Sequence, residues 1–196
     1  MKNPSEANFT LTSNRIFKDD KGNQKIVYSE EYKNLIFNAS DLPIEKYKLE
    51  IQQEIRNHQV VIINGNTGCG KSTQIPKYIL EICNQDNIEP KIICTQPRRL
   101  AAINIAKRIK EELQICQNSR IVGYQVGLNT KANTNTKILF VTTGIFLQRL
   151  VHKDEINSFT HIIFDEVHER DLNIDFAMVA MKYMLKKYPH LKLILM

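Results

Sequence analysis

The chain has 196 residues, 42% of them hydrophobic, which is enough apolar material for one well-packed domain. Its 27 Lys and Arg outnumber 21 Asp and Glu and give a formal charge of +6, which suits an anionic partner such as nucleic acid and equally describes an ordinary basic surface. The first ten residues lack the apolar core of a secretory signal, and no apolar run reaches the ~18 residues of a membrane span, so we expect a soluble, cytoplasmic protein.

Cysteine and histidine show no metal-binding spacing in this chain. The cysteines form no C-x-x-C pair and have no His partner at zinc-finger distance, so we expect reduced, mostly buried thiols at Cys69, Cys83, Cys94 and Cys116. Four histidines stand in no special setting, and we interpret them as surface or hydrogen-bonded core residues: His58, His152, His161 and His190.

The first 40 residues are rich in Asn, Ser, Lys, Asp and Glu and have little periodicity, so we predict a partly flexible extension there. From Asp41 onward the apolar residues fall near helical spacing. The sequence predicts a helix with Asp41 as its cap and Pro43 in its first turn. We expect this helix to lead straight into a first buried strand, "VVIIN".

Six apolar, β-branched runs then alternate with longer amphipathic segments. The runs are "VVIIN", "KIICT", "RIVGY", "KILFVT", "HIIFDE" and "LKLILM", at residues 60–64, 91–95, 120–124, 137–142, 161–166 and 191–196. Such alternation predicts an α/β domain over residues 41–196, with a mainly parallel sheet flanked by helices. The last run has strand composition but no turn or polar residue after it, so we expect the chain to be a fragment of a longer protein.

Residues 65–72, "GNTGCGKS", match the pattern G-x-x-x-x-G-K-[ST] between a predicted strand and a predicted helix. Glycines let the backbone wrap a phosphate, and the N–H groups of the loop and helix start attract its charge. Lys71 should reach the β- and γ-phosphates of ATP, and Ser72 should bind Mg²⁺. The alternative is a glycine-rich turn without a ligand, and a nucleotide kinase or a transport ATPase would carry the same loop. The predicted nucleotide-binding residues are Gly65, Asn66, Thr67, Gly68, Cys69, Gly70, Lys71, Ser72 and Thr73.

An acidic pair follows the run "HIIF", so Asp165 and Glu166 stand at the carboxyl end of a predicted strand, where ligands bind in parallel sheets. We expect Asp165 to bind the Mg²⁺ shell and Glu166 to orient or deprotonate the attacking water. We count Lys71, Glu166 and His168 as catalytic candidates, with His168 hydrogen-bonding this loop to a neighbouring one. The alternative is a solvated acidic turn.

Four segments resemble motifs I, Ia, Ib and II of the DEAH-box RNA helicases in order and spacing: "GNTGCGKSTQIP", "TQPRRLAA", "TTGIFLQRL" and "DEVHERD". The resemblance covers roughly residues 41–196 and implies the first RecA-like domain of such a helicase, a P-loop fold that uses ATP and Mg²⁺. Together with "VGYQVGLN" and "LPIEKYKLEI", it is nearest to the Spindle-E type of tudor-domain helicase, which is associated with germline piRNA silencing.

The resemblance also implies contacts with single-stranded RNA. Arg98 and Arg99 stand where motif Ia contacts the RNA backbone, although two arginines could simply flank a helix start. Thr142 and Thr143 stand where motif Ib grips the strand. Arg108 resembles the arginine that stacks on the nucleotide base, with an ordinary exposed helix arginine as the alternative.

The chain departs from common members of the family at a few positions. Asn66 replaces Glu, Cys69 replaces Ser, and Thr143 replaces an Asp beside the RNA. Gly127 stands where splicing-type members carry a basic residue, which favours the Spindle-E branch. Val167 in "DEVH" replaces the Ala of "DEAH", an apolar exchange with little chemical consequence.

If the resemblance holds, the chain stops just before motif III, and the second RecA-like domain and further C-terminal domains lie elsewhere in the full-length protein. The fragment would then bind and hydrolyse ATP weakly. We expect piRNA-pathway proteins as partners and perinuclear RNP granules as a site of action, with no membrane association. Two alternatives stay open: an ATP-regulated RNA clamp or scaffold without productive unwinding, and a P-loop enzyme such as a small-molecule kinase.

Overall fold

The computed structural model describes residues 16–18, 24–26, 35, 41–116, 118–151 and 153–196. The chain separates into two compact units, residues 1–35 and residues 36–196. In the first unit, strands β1 (Ile16–Lys18) and β2 (Gln24–Ile26) pair antiparallel. Most of the predicted extension lies outside the described residues, and the domain boundary at residue 40 stays a prediction.

The second unit alternates helices and strands after a 3₁₀ turn, Pro43–Tyr47. Its elements are α1 (Lys48–Asn57), β3 (Val60–Ile62), α2 (Lys71–Gln85), β4 (Ile92–Gln96), α3 (Arg99–Glu112), β5 (Val122–Val126), β6 (Asn129–Lys131), β7 (Ile138–Thr142), α4 (Thr143–Val151), α5 (Lys153–Asn157), β8 (His161–Phe164), α6 (Leu172–Lys187) and β9 (Lys192–Leu195). A second 3₁₀ turn, Val167–Glu169, lies between β8 and α6.

These strands form a seven-stranded sheet in the order β3-β9-β8-β4-β7-β5-β6, in which every pair is parallel except β5 with β6. All six predicted runs are strands of this sheet, which confirms the predicted fold class. Strand β6 was not predicted because "NTK" is polar and fully exposed, so it carries no hydrophobic signal.

The prediction that the first strand is buried was wrong. Strand β3 lies at the edge of the sheet and pairs only with β9. Val60 is 44% exposed and Ile62 is 74% exposed. An apolar run of this length reads the same whether a strand is central or at an edge, since its position depends on partners distant in sequence.

The start of the first helix also differs from the prediction. The 3₁₀ turn begins at Pro43, as expected for a first-turn proline, but the capping position is Leu42 and no side chain accepts a hydrogen bond there. Asp41 is therefore not the cap, because it stands one residue too early. The turn is instead anchored by Ile44, whose N–H donates to the carbonyl of Cys69 at 3.2 Å.

The core lies on both faces of the central strands, where β4 and β8 are buried along their whole length. Phe146 of α4 meets Phe164 of β8 edge to face, with ring centroids 5.1 Å apart. Among the cysteines, all free, Cys83 and Cys94 are buried, whereas Cys116 is exposed. None of the described helices combines the length and the apolar character needed to cross a bilayer.

The histidines fall into the two expected settings. His161 is 4% exposed, and its Nδ1 lies 2.9 Å from Oγ1 of Thr160. His58 and His190 are exposed at the surface. His152 lies outside the described residues.

Candidate functional site

The predicted site segments all follow strands at one edge of the sheet. Strand β4 pairs in parallel with β8 on one side and with β7 on the other, while β3 and β9 continue the sheet beyond β8. Since the carboxyl ends of parallel strands lie together, the loops after β3, β4, β7 and β8 gather at this edge. They carry the P-loop (residues 65–72), the arginines 98 and 99, the threonines 142 and 143, and the acidic pair at 165 and 166.

Backbone geometry at the P-loop requires glycine at two positions. Gly68 has φ +81° and Gly70 has φ +107°, values that side chains disfavour. Gly70 precedes the first turn of α2, and a Cβ there would lie 2.8 Å from Cδ1 of Leu42. The 3₁₀ turn therefore packs directly against the loop and leaves no room for a side chain.

Lys71 folds back over the mouth of this loop. Its Nζ donates to the carbonyl oxygen of Gly65 at 2.5 Å and to that of Asn66 at 3.1 Å. The ammonium thus lies where a wrapped phosphate would meet the loop, and phosphate oxygens would compete with these two carbonyls for it.

A cavity of about 300 Å³ joins the P-loop to Glu166 of the acidic pair. Lys71, Ser72 and Thr73 line one part of it, and its lining also includes Arg108, Glu112 and Glu166. Residues predicted separately from three motifs therefore meet around one space. A larger cavity, about 660 Å³, lies between α1 and β3 and shares the P-loop, but its lining includes neither arginine nor the acidic pair, so the smaller cavity fits a polyphosphate better.

The two carboxylates of the acidic pair have different environments. Asp165 is 1% exposed; its Oδ2 accepts from Nε2 of Gln96 at 2.6 Å and its Oδ1 from the N–H of Glu166 at 2.9 Å. Glu166 is partly exposed and has φ +55°, a left-handed conformation that is uncommon outside glycine. This turn places Glu166 in the cavity while Asp165 stays fixed at the end of β8.

We predicted that His168 hydrogen-bonds this loop to a neighbouring one, but in the structure it does not. Its Nε2 lies 3.3 Å from Oε2 of Glu166, within the same turn, and its side chain is 74% exposed. The short 3₁₀ turn brings the two side chains together, and the part of the chain that the structure describes offers His168 no second hydrogen-bond partner.

Arg108 is held beside the cavity by Glu112. Its Nε donates to Oε1 of Glu112 at 2.7 Å, and Oε2 of the same carboxylate accepts from Lys77 at 2.7 Å and from Gln74 at 3.0 Å. Burial pushes the pKa of Glu112 upward, but the hydrogen bonds from Lys77 and Arg108 outweigh it and leave that pKa below its ordinary value. The carboxylate is therefore charged, and it orients the guanidinium of an arginine whose side chain is 64% exposed.

The predicted RNA contacts surround the ends of β4 and β7. Arg98 is exposed and pairs with Glu169, while Arg99 lies against Gly127, where a Cβ would come within 3.8 Å of its guanidinium. Thr142 is half-buried, but Thr143 is 3% exposed, and its buried hydroxyl has no hydrogen-bond partner among the described residues. The Thr143 hydroxyl is therefore not presented at the surface of this loop.

Three residues that shape this site were not predicted from the sequence. Gln96 holds Asp165, Leu42 closes over Gly70, and Glu112 orients Arg108. Gln96 had a detectable signal, because it ends a buried strand within "TQPRR". The other two carry none, since each acts through a partner distant in sequence.

The donor set fits Mg²⁺ carried by a nucleotide. Mg²⁺ prefers oxygen ligands and usually takes only one or two carboxylates, with phosphates and water completing its shell. Ser72 offers a hydroxyl, and Asp165 uses only two of the roughly four lone-pair sites of a carboxylate. Among the described residues, no three His, Cys, Asp or Glu side chains cluster as an all-protein metal site would require.

Comparison with known proteins agrees with this geometry. The family described as DEAD/DEAH box helicase matches residues 46–196. The chain is 43% identical over 152 residues to a probable ATP-dependent RNA helicase spindle-E of Culex quinquefasciatus, covering 78% of this chain and 11% of the relative. It is 39% identical over 175 residues to the DExH-box ATP-dependent RNA helicase DExH1 of Arabidopsis thaliana, covering 88% and 18%.

The ATP-dependent RNA helicase DHX29 of Homo sapiens is 36% identical over 181 residues, covering 88% of this chain and 13% of the relative. The chain thus spans between about a tenth and a fifth of the length of these relatives. The match extends over most of the seven-stranded unit and includes the P-loop, the two arginines, the two threonines and the acidic pair. The chain belongs to the DEAD/DEAH box helicase family.

Proposed function

We propose that residues 41–196 are the first RecA-like motor domain of an ATP-dependent RNA helicase that remodels RNA or RNA–protein complexes. The observation that carries this proposal is the single cavity lined by the P-loop lysine, Ser72, Arg108 and Glu166. A kinase or transport ATPase would share the P-loop, but its reaction does not require paired arginines after strand β4.

In this proposal each side chain acts on a defined part of the nucleotide. Lys71 leaves its loop carbonyls for the β- and γ-phosphates, and Arg108 stacks on the base. Ser72 and Asp165 would hold Mg²⁺, which would supply positive charge beside the phosphates. Glu166 orients the attacking water and takes its proton, since it alone of the acidic pair reaches the cavity.

RNA would lie along the loops after β4 and β7. Arg98 and Arg99 supply charge, and backbone groups around Thr142 and Thr143 supply hydrogen bonds. The protein would therefore bind the RNA strand through its phosphates and would not recognise its base sequence. Movement of the strand requires a second domain that closes on ATP and reopens after hydrolysis.

The decisive test is the ATPase rate of the full-length protein with and without single-stranded RNA, in the wild type and in Glu166→Gln. We expect RNA to stimulate the wild type, and the variant to bind nucleotide normally while losing ~10²-fold or more in rate, as expected for loss of a general base. Glu111→Gln, an exposed carboxylate on α3, is the matched control. An unchanged rate in Glu166→Gln would refute the assigned role.

Unwinding and ATPase assays on the same full-length protein distinguish the two alternatives that stayed open. A clamp or scaffold would show RNA-stimulated hydrolysis without release of a strand from a duplex, whereas a helicase shows both. A small-molecule kinase would show a rate indifferent to RNA and to Arg98→Ala.

We further propose that the full-length protein acts in the cytoplasm in germline piRNA silencing, within perinuclear RNP granules and with piRNA-pathway proteins. The support is identity of 40 to 43% with several relatives named spindle-E. Sequencing small RNAs from germline tissue that lacks the protein tests this, and an unchanged piRNA population would contradict it.

A further inference from the structure

A buried hydrogen bond connects strand β4 to the acidic pair. Strand β4 leads into the loop that is predicted to contact RNA. Gln96, the last residue of β4, is 2% exposed, and its Nε2 donates to Oδ2 of Asp165 at 2.6 Å. A carboxylate can only accept, so the amide nitrogen is the atom that must face it. The bond is short, as is usual when one partner is charged.

Asp165 depends on this bond for its orientation. It is 1% exposed and forms no ion pair with any described residue, so hydrogen bonds must stabilise its charge. One comes from the N–H of Glu166, in its own turn. Gln96 supplies the other, and is therefore the contact from outside the turn that fixes where the carboxylate points.

The segment after Gln96 makes a second contact with the turn after β8. Arg98, two residues later, places Nη2 3.2 Å from Oε1 of Glu169. The inner contact is buried, while the outer one is exposed. A shift of Pro97 and Arg98 toward a bound RNA strand would therefore separate the exposed pair and pull on the buried contact at Asp165.

We propose that Gln96 is a positioning residue that holds Asp165 for the nucleotide-bound magnesium and couples RNA binding to nucleotide binding. The proposal rests on the function assigned above. A hydrogen bond near 2.6 Å weakens within about an ångström of displacement, so Gln96 converts a small movement of the RNA loop into a change at the carboxylate. Coupling of this kind is reciprocal, and nucleotide must change RNA affinity by the same factor.

The test uses Gln96→Met in the full-length protein, because methionine keeps the length and volume of the side chain and removes the donor. The readouts are binding of a fluorescent non-hydrolysable ATP analogue at varied Mg²⁺, and the Kd of single-stranded RNA with and without the analogue. We expect the Mg²⁺ needed for half-maximal binding to rise ~10-fold or more, as for a lost bond to a charged group. The factor by which nucleotide changes RNA affinity should fall toward one, while RNA affinity without nucleotide stays within ~2-fold of the wild type.

Two further variants guard against a simple loss of folding. Gln96→Asn keeps the amide but is one methylene too short, so a positioning role predicts the same loss as in Gln96→Met. Thr95→Val is the matched control, since the Thr95 hydroxyl is buried on the same strand and has no hydrogen-bond partner in the part of the chain that the structure describes, and it should change neither readout. Thermal unfolding midpoints verify that all three variants are folded.

The outcomes are separable. If the wild type binds nucleotide and RNA and Gln96→Met retains both the Mg²⁺ requirement and the coupling factor, the inference about Gln96 is overturned while the proposed function stands. If the wild type binds neither ligand, the proposed function itself fails.

Discussion

Arg98 and Glu169 form an ion pair between the loop after β4 and the turn after β8, with Nη2 of the arginine 3.2 Å from Oε1 of the glutamate. The arginine side chain is 77% exposed and that of the glutamate 35%. Exposed pairs of this kind are worth ~0–1 kcal/mol. Glu169 therefore holds the arginine only weakly, and on the proposed RNA path a phosphate would displace it.

Glu169→Gln should strengthen RNA binding. Removing the carboxylate frees Arg98 and takes a negative charge away from the RNA path, so we expect Kd to fall by up to ~5-fold at low salt and less at high salt. Fluorescence anisotropy with labelled single-stranded RNA measures this. Glu111→Gln removes the same charge from an exposed site on α3. An equal effect in both variants would show that the ion pair is irrelevant.

Lys71→Ala should abolish nucleotide binding while leaving the fold intact. Among the described residues, Lys71 donates only to atoms of its own loop, to two carbonyls at 2.5 and 3.1 Å and to the Cys69 sulfur, so its loss breaks no contact between the elements described. Titration with a fluorescent ATP analogue measures binding, and circular dichroism measures folding. The control is Lys107→Ala, an exposed lysine on α3. Retention of affinity in Lys71→Ala would remove this lysine from the site.

Gly70→Ala should destabilise the domain, because Gly70 has φ +107° and a Cβ would lie 2.8 Å from Leu42. We expect a loss of ~1–3 kcal/mol in the free energy of unfolding, from backbone strain and overpacking. Urea unfolding measures it. Gly144→Ala is the control: a Cβ there meets nothing within 4 Å in α4, so stability should be unchanged or rise by ~1 kcal/mol at most. Equal stabilities for the two variants would argue against strain at Gly70.

His161 should make stability depend on pH. Burial, aided by the charge of Lys192, lowers the pKa of His161 from 6.5 to about 3 in the folded protein. Between these values the unfolded chain binds the extra proton, so stability is fully present above pH 6.5 and is lost as pH falls toward 3. The expected slope from this residue is ~1.4 kcal/mol per pH unit.

Urea unfolding between pH 7 and pH 5 measures this slope in the wild type and in His161→Leu, where it should be smaller. Ile162→Val is the matched control on the same buried strand: it should cost ~0.5–1.5 kcal/mol equally at each pH. An unchanged slope in His161→Leu would show that another group controls the acid sensitivity.

Much of the fold was predictable because its signals are local. Buried parallel strands read as apolar β-branched runs, and six of the seven strands of the sheet were identified this way. The missing strand, Asn129–Lys131, is polar and exists only through its pairing with β5. The burial of Val60 and Ile62 was predicted wrongly for a related reason, since composition does not say which strand is at the edge.

The sequence by itself determined the residue types of the candidate site and the strands that carry them, because the glycine loop, the arginine pair and the acidic pair are short, contiguous patterns. Only the tertiary structure decided which of these meet: that Arg108 and Glu166 share a cavity with the P-loop, that Thr143 is buried, and that Gln96 holds Asp165 across 69 positions of chain. The reason is physical. Strand order is set by packing between segments distant in sequence, and the local pattern of neither segment shows which residue of the other its side chains will contact.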